Sequence, residues 1–368
     1  MSKKIKIAII AGQLVVGGAE KQLYLWLANL DRNRYNPIVV TLHPGHEDYW
    51  EKPIEDLGIP IYRVKRNKNR FFRLIEIIQI LRPYHPDLIH GWHNFASTYT
   101  CMASKVLRTK SLGGIRSSFD AIVDSKETRL TRLFCDAVVS NSYSAAEAYK
   151  KDQKWKKQPV FTVHNAIHTQ FINRLEARKH FVNNYNLPPE AIWICSMGRM
   201  YPSKRFDILV ELTSNLKREF NNIHVILIGD GPENSKLKEM AHELNLQKDI
   251  TFTGEVPEAS KWLMGMDIFC SPSLSEGLPN VIMEASAAGL SVVAWNLPSI
   301  EELLINDSMG YLIKTNDLIK MKEALRLLIM SESLRARLGS KAKDHIKKHF
   351  SLDRYVEGLT SVYEQLVT

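Results

Sequence analysis

The chain has 368 residues, 45% hydrophobic and 24% charged, an ordinary globular balance with no uninterrupted apolar run long enough to span a bilayer. One core rarely grows past about 250–300 residues, so two domains are expected. The net charge of +9 is uneven, with +12 on residues 1–190 and −3 on residues 191–368; an anionic partner is expected for the first half alone.

Lys3, Lys4 and Lys6 precede the apolar stretch 7–16 and superficially resemble a signal peptide. No small-x-small cleavage site follows, so 5–10 reads as a buried strand and Gly12 to Gly18 as the loop after it. Further strands are predicted at 37–42, 59–64, 87–90, 114–117, 137–140 and 160–163. Helical spacing fills the gaps at 19–30, 71–81 and 95–107. The polar stretch 164–190 breaks this rhythm and reads as a linker. A second series then begins, with strands at 191–197, 224–228, 250–252, 267–270, 291–294 and 311–313, and three helical segments close the chain. Short β-rich runs alternating with helices specify parallel sheets wrapped by helices. Two Rossmann-like domains are expected in tandem, over 1–165 and 191–350, with 166–190 between them. Ligands of such sheets bind beyond the carboxyl ends of the strands, so facing domains would share a cleft.

The residues that carry chemistry stand at those strand ends. Gly17 and Gly18 close the first strand-to-helix loop with Glu20 in the first helical turn. Adjacent glycines allow unusual dihedrals and close backbone approach, but the loop is neither G-x-G-x-x-G nor a P-loop. His90 and His93 end the fourth strand, and either imidazole could hydrogen-bond a sugar hydroxyl or a leaving group. Arg199 and Lys204 follow the first strand of the second half, where two cations would neutralise a pyrophosphate. Gly229 to Pro232 makes a glycine turn. Glu276 and Glu284 are eight positions apart in Ser-Glu-Gly-Leu-Pro-Asn-Val-Ile-Met-Glu-Ala, the first in a loop, the second inside a helix that Pro279 suits as a first-turn residue. Loop amides at Gly277 and Leu278 would suit an anion, while carboxylates beside phosphate would take hydroxyls.

No D-x-D triplet and no clustered His/Cys/Asp set occurs, so neither metal nor other cofactor is expected. Cys101, Cys135, Cys195 and Cys270 lack C-x-x-C spacing and read as reduced core thiols, which favours a cytoplasmic setting. The stretch 62–82 holds Arg63, Lys65, Arg66, Lys68, Arg70 and Arg73 beside an apolar helix. It could dock on an anionic membrane surface, giving a peripheral association with the inner face of the cytoplasmic membrane. No nucleic-acid reader motif is present.

Taken together, Gly17-Gly18-Ala19-Glu20, Gly198-Arg199 with Lys204, Gly229-Asp230-Gly231-Pro232, Glu276-Gly277-Leu278-Pro279 through Glu284, and Gly310-Tyr311-Leu312-Ile313 resemble the retaining glycosyltransferases of family 4. The resemblance implies the GT-B fold, α/β with two Rossmann-like domains facing a central cleft and a C-terminal helix (351–368) crossing back to the first domain. It implies a metal-independent hexosyltransferase that takes a nucleoside-diphosphate sugar, UDP-linked by expectation, to a glycan or lipid-linked acceptor. Arg199 and Lys204 would bind the diphosphate, Glu276 the hexose, Glu284 the ribose, and Gly18 would approach the diphosphate; the family histidine falls on His90 or His93, with His93 preferred. The sequence departs from the family at Arg205, where glycine is common, at Asn165-Ala166-Ile167-His168, at Ser291, and at Pro298-Ser299 before Glu302. A sugar-nucleotide epimerase of the same fold and a non-catalytic sugar-nucleotide or lipid-binding protein are the alternatives.

Overall fold

A computed structural model describes residues 4–43, 45, 48–65, 69–117, 123, 125–151 and 158–367. Among them are thirteen strands: β1 (Ile5–Ala11), β2 (Tyr35–Thr41), β3 (Ile61–Arg63), β4 (Leu88–Gly91), β5 (Lys110–Ile115), β6 (Ala137–Ser140), β7 (Val160–Thr162), β8 (Ile192–Met197), β9 (Ile223–Ile228), β10 (Ile250–Gly254), β11 (Ile268–Ser271), β12 (Ser291–Trp295) and β13 (Gly310–Ile313). They form two sheets, ordered β3-β2-β1-β4-β5-β6-β7 and β10-β9-β8-β11-β12-β13, with parallel pairing throughout.

The apolar runs explain this choice. Ile7 to Ala11, Ile223 to Ile228 and Ser291 to Trp295 are buried at every position, which suits strands covered on both faces rather than one. In the first sheet Ile7, Ile9 and Ala11 enter one core cluster while Ala8 and Ile10 enter another. In the second, Ile194 and Val225 lie on one side, Cys195 and Ile226 on the other. In each sheet the strand order reverses beside its first strand, at β1/β4 and at β8/β11. Ligands of open α/β sheets gather at such switch points, outside the carboxyl strand ends.

The chain divides into two compact units, Met1–Ala166 with Leu352–Thr368, and Ile167–Ser351. Of the stretch expected as a linker at 166–190, all but Ala166 therefore belongs to the second unit. The helix Arg174–Tyr185 buries Ala177 and Phe181, and Phe181 and Leu187 belong to the second unit's core; the polar helix face hid these anchors. The last helix, Leu352–Val367, packs on the first unit through Tyr355, Leu359, Val362 and Tyr363. β5 begins four residues before the expected 114–117. A Cβ on its Gly114 would lie 2.5 Å from the Gly91 carbonyl oxygen, so close strand packing selects glycine there.

Candidate active site

In the second unit, four strands contribute loops to one edge. β8 ends at Met197, and the chain passes through Gly198, exposed Arg199 and a short turn Pro202–Lys204. Gly198 N donates to Ile228 O at 3.0 Å, and Met200 N to Asp230 O at 2.8 Å, lacing the β8 and β9 loops together. Gly229 has φ +125° and a Cβ there would strike the Gly198 carbonyl, so this turn requires glycine. Leu274 N donates to Ser203 O at 2.9 Å, joining the β11 loop to the β8 loop across the switch point.

That junction brings Lys204 to Glu276. Lys204 Nζ donates to Glu276 Oε1 at 2.6 Å, with side-chain exposures of 26% and 10%. Ser299 Oγ, from the β12 loop, donates to the Glu276 carbonyl at 3.2 Å. The departure at Pro298-Ser299 thus supplies a hydroxyl tie to the loop that carries Glu276. Glu284 lies in the helix Asn280–Ala287 and is buried at 6% exposure. Pro279 is the residue before that helix rather than its first residue. Gly277 and Leu278 fall in the same loop, with Leu278 buried in the core. The Arg199 guanidinium lies 5.0 Å from the Tyr201 ring centroid. Arg205 adopts φ +50°, a left-handed backbone that explains why glycine is common at this position; its side chain pairs with Asp207 at 3.0 Å.

In the first unit a second pair spans the β1/β4 switch point. Glu20, in the first turn of the helix Gly18–Ala28, has Oε1 3.1 Å from His93 Nε2. His93 is the N-cap of the helix Asn94–Leu107 and stacks on Phe95, centroids 5.5 Å apart. His90 is fully buried, its Nδ1 2.7 Å from Tyr363 Oη, and burial pushes its pKa well below the usual imidazole range. The two histidines therefore have separate settings: His93 at the sheet edge, His90 beneath the last helix. The expected unusual dihedrals at Gly17 and Gly18 are absent. Gly17 is extended, with φ −167°, and Gly18 opens the helix. A Cβ at Gly17 would meet the Glu20 carboxylate, the movable end of a side chain.

Other expectations change as well. In the basic stretch, Arg63 pairs with Glu51 and Glu55, Arg70 pairs with Glu127, and Arg73 is buried against Tyr99 Oη at 3.2 Å. Arg66 and Lys68 lie outside the described residues. Arg63, Arg70 and Arg73 thus have partners within the protein, and Phe71 and Phe72 beside them are 64% and 55% exposed. No described helix is long and apolar enough to cross a membrane. A cavity of about 530 Å³ opens at the amino-terminal edge of the second sheet, beside Ile192 and Asp267. Its Arg174 and Arg178 are held by Asp267 at 2.5 and 3.0 Å. The sequence assigns no role to Glu20 or Ser299; the first opens a helix at a switch point and the second follows β12.

The family model for "Glycosyl transferases group 1" matches residues 177–345, and that for "Glycosyltransferase Family 4" matches residues 16–171. A lipopolysaccharide core biosynthesis glycosyltransferase, LpsE of Rhizobium meliloti, is 24% identical over 95% of this chain and 96% of its own. An uncharacterised glycosyltransferase of Haemophilus influenzae is 28% identical over 45% of this chain, which spans about half of that relative's length, 46%. The solved structure of Anabaena Alr3699/HepE in complex with UDP and glucose superimposes with a TM-score of 0.86, covering 98% of this chain and all of that one, at 18% identity. Two Rossmann-like units with these matches along almost the whole sequence place the chain in family 4 of the GT-B glycosyltransferases.

Proposed function

We propose that this glycosyltransferase moves a hexosyl unit from a UDP-sugar to an acceptor hydroxyl, with retention at the anomeric carbon, in polysaccharide or glycolipid assembly. The observation that carries the reading is the Lys204–Glu276 pair at 2.6 Å across the β8/β11 switch point, with Arg199 on the same loop as Lys204. Lysine has three N–H donors and a carboxylate two oxygens. One contact between them leaves Lys204 donors for a diphosphate and a Glu276 oxygen for a sugar hydroxyl. The UDP and glucose bound by Alr3699/HepE support the donor assignment, and the role printed for LpsE supports the biosynthetic setting.

In this reading the glycosidic C–O bond to the diphosphate breaks as an oxocarbenium-like centre develops. Negative charge grows on the leaving diphosphate, and Arg199 and Lys204 stabilise it more than they stabilise the ground state. The acceptor oxygen attacks from the face the diphosphate leaves, passing its proton to a phosphate oxygen. Glu276 orients the hexose, Glu284 the ribose, His93 the donor sugar, and the Gly17–Gly18 turn gives the diphosphate room. Removing one such charge-stabilising donor costs about 3–4 kcal/mol. The double variant Arg199→Ala/Lys204→Ala should therefore lose at least about 10³-fold in UDP release from UDP-glucose with hydroxyl acceptors, with an unchanged melting temperature. Undiminished turnover would remove the assignment. Product NMR separates retention from inversion and transfer from epimerisation. The exposed Phe71–Phe72 pair supports an anionic lipid surface as a further partner, tested by sedimentation with phosphatidylglycerol against phosphatidylcholine vesicles.

A further inference from the structure

The carboxyl edge of the first sheet holds polar groups to which the donor reading gives no role. Arg116 directly follows β5 and is half-buried. Its guanidinium carbon lies 3.6 Å from the Trp92 ring centroid. Nε donates to Trp92 O at 3.0 Å and Nη1 to Asn165 Oδ1 at 3.5 Å. Among the described residues both of these acceptors are neutral. A desolvated guanidinium stays charged and normally has an anionic partner.

One strand over, Asn141 follows β6, and its backbone N–H donates to the Ile115 carbonyl at 3.1 Å. That bond sets it beside the residue before Arg116. Asn141 is 4% exposed, and its Oδ1 has no hydrogen-bond partner among the described residues. Buried carbonyl oxygens are rarely left so. The two side chains ask for opposite things: Arg116 for an oxyanion, Asn141 Oδ1 for an O–H or N–H. The charge of +12 on residues 1–190 favours the same sign of ligand.

We propose that Arg116 and Asn141 form a subsite in the first unit for an acceptor carrying an oxyanion, phosphate or carboxylate, next to a hydroxyl. The proposal rests on the transferase reading, because it assigns this ligand to the acceptor rather than the donor. NMR titration of the full chain tests it with glycerol 3-phosphate and glucuronate as probes, glycerol and glucose as neutral controls, and UDP alongside. Wild type should bind at least one anionic probe ten times more tightly than its neutral control. Arg116→Gln should weaken that probe at least tenfold, Arg116→Lys less, with UDP affinity held within twofold. If Arg116→Gln melts early, Asn141→Asp decides, since a carboxylate there should repel the anionic probe tenfold and leave UDP unaffected. Equal binding of charged and neutral probes, unchanged affinity in Arg116→Gln and Asn141→Asp, or an equal loss for UDP overturns the subsite. Failure of UDP to bind wild type would instead count against the donor reading.

Discussion

His224 shows how burial at one residue becomes a pH dependence. It is 5% exposed, its Nε2 lies 2.8 Å from Thr251 Oγ1, and desolvation pulls its pKa down to about 4. The unfolded chain accepts this proton near pH 6.5, so the contribution is intact above that value and is lost as pH falls from about 6.5 to about 4. The loss is about 1.4 kcal/mol per unit and at most about 3 kcal/mol in all. Urea unfolding at pH 7 and pH 5 should show wild type losing about 2 kcal/mol more than His224→Gln; parallel losses would mean the imidazole titrates normally. At this scale the site was half legible. Lys204 and Glu276 were assigned from their places at strand ends, and the structure joins them directly. Ser299 and Arg205 entered only as departures from a family pattern, because a hydroxyl tie and a left-handed backbone depend on neighbours that spacing does not name. Arg116 falls inside the strand that spacing predicts at 114–117, and only the end of β5 at Ile115 frees it for a loop.

The helices are fixed by where they touch their sheets. Gly339 lies within the helix Glu332–His349, where alanine ordinarily gains about 1 kcal/mol. Here a Cβ would strike the Gly289 carbonyl, and backbone cannot step aside as a side chain can. We expect Gly339→Ala to destabilise by about 2 kcal/mol or more, overpacking outweighing propensity. A rise in melting temperature would show that the two elements separate easily. The helix Leu352–Val367 presents the opposite case, holding by apolar burial. Leu359 is 1% exposed in the first unit's core. Leu359→Ala should cost about 2–5 kcal/mol by denaturant midpoint, and a cost below about 1 kcal/mol would mean that this helix is not integral to that core.

Across the whole molecule, every predicted strand has a counterpart, because the central parallel strands announce themselves as short apolar runs, while the edge strand β3 carries exposed Tyr62 and Arg63. The division between units was less legible, since it depends on which core takes Phe181 and Leu187, and a polar helix face conceals that choice. The cores themselves segregate cleanly. Those of the second unit draw only on residues between Ile167 and Phe350, whereas the first unit's largest cluster needs Tyr355, Leu359, Val362 and Tyr363 from the far end of the chain. One unit is therefore a continuous segment and the other is discontinuous, so their dependence on the rest of the chain differs. A fragment of residues 167–351 should fold cooperatively by itself, while residues 1–166 alone should fail to, with the apolar face that normally meets the last helix left in water. UDP should bind the 167–351 fragment and stabilise it by RT ln(1 + [UDP]/Kd), about 2.7 kcal/mol at a hundredfold excess over Kd. In the full chain the same addition should raise the melting transition of this unit in scanning calorimetry. A folded fragment that ignores UDP would show that residues outside 167–351 are indispensable for holding the nucleotide, and an unfolded one would show that the segregated cores do not confer independent stability.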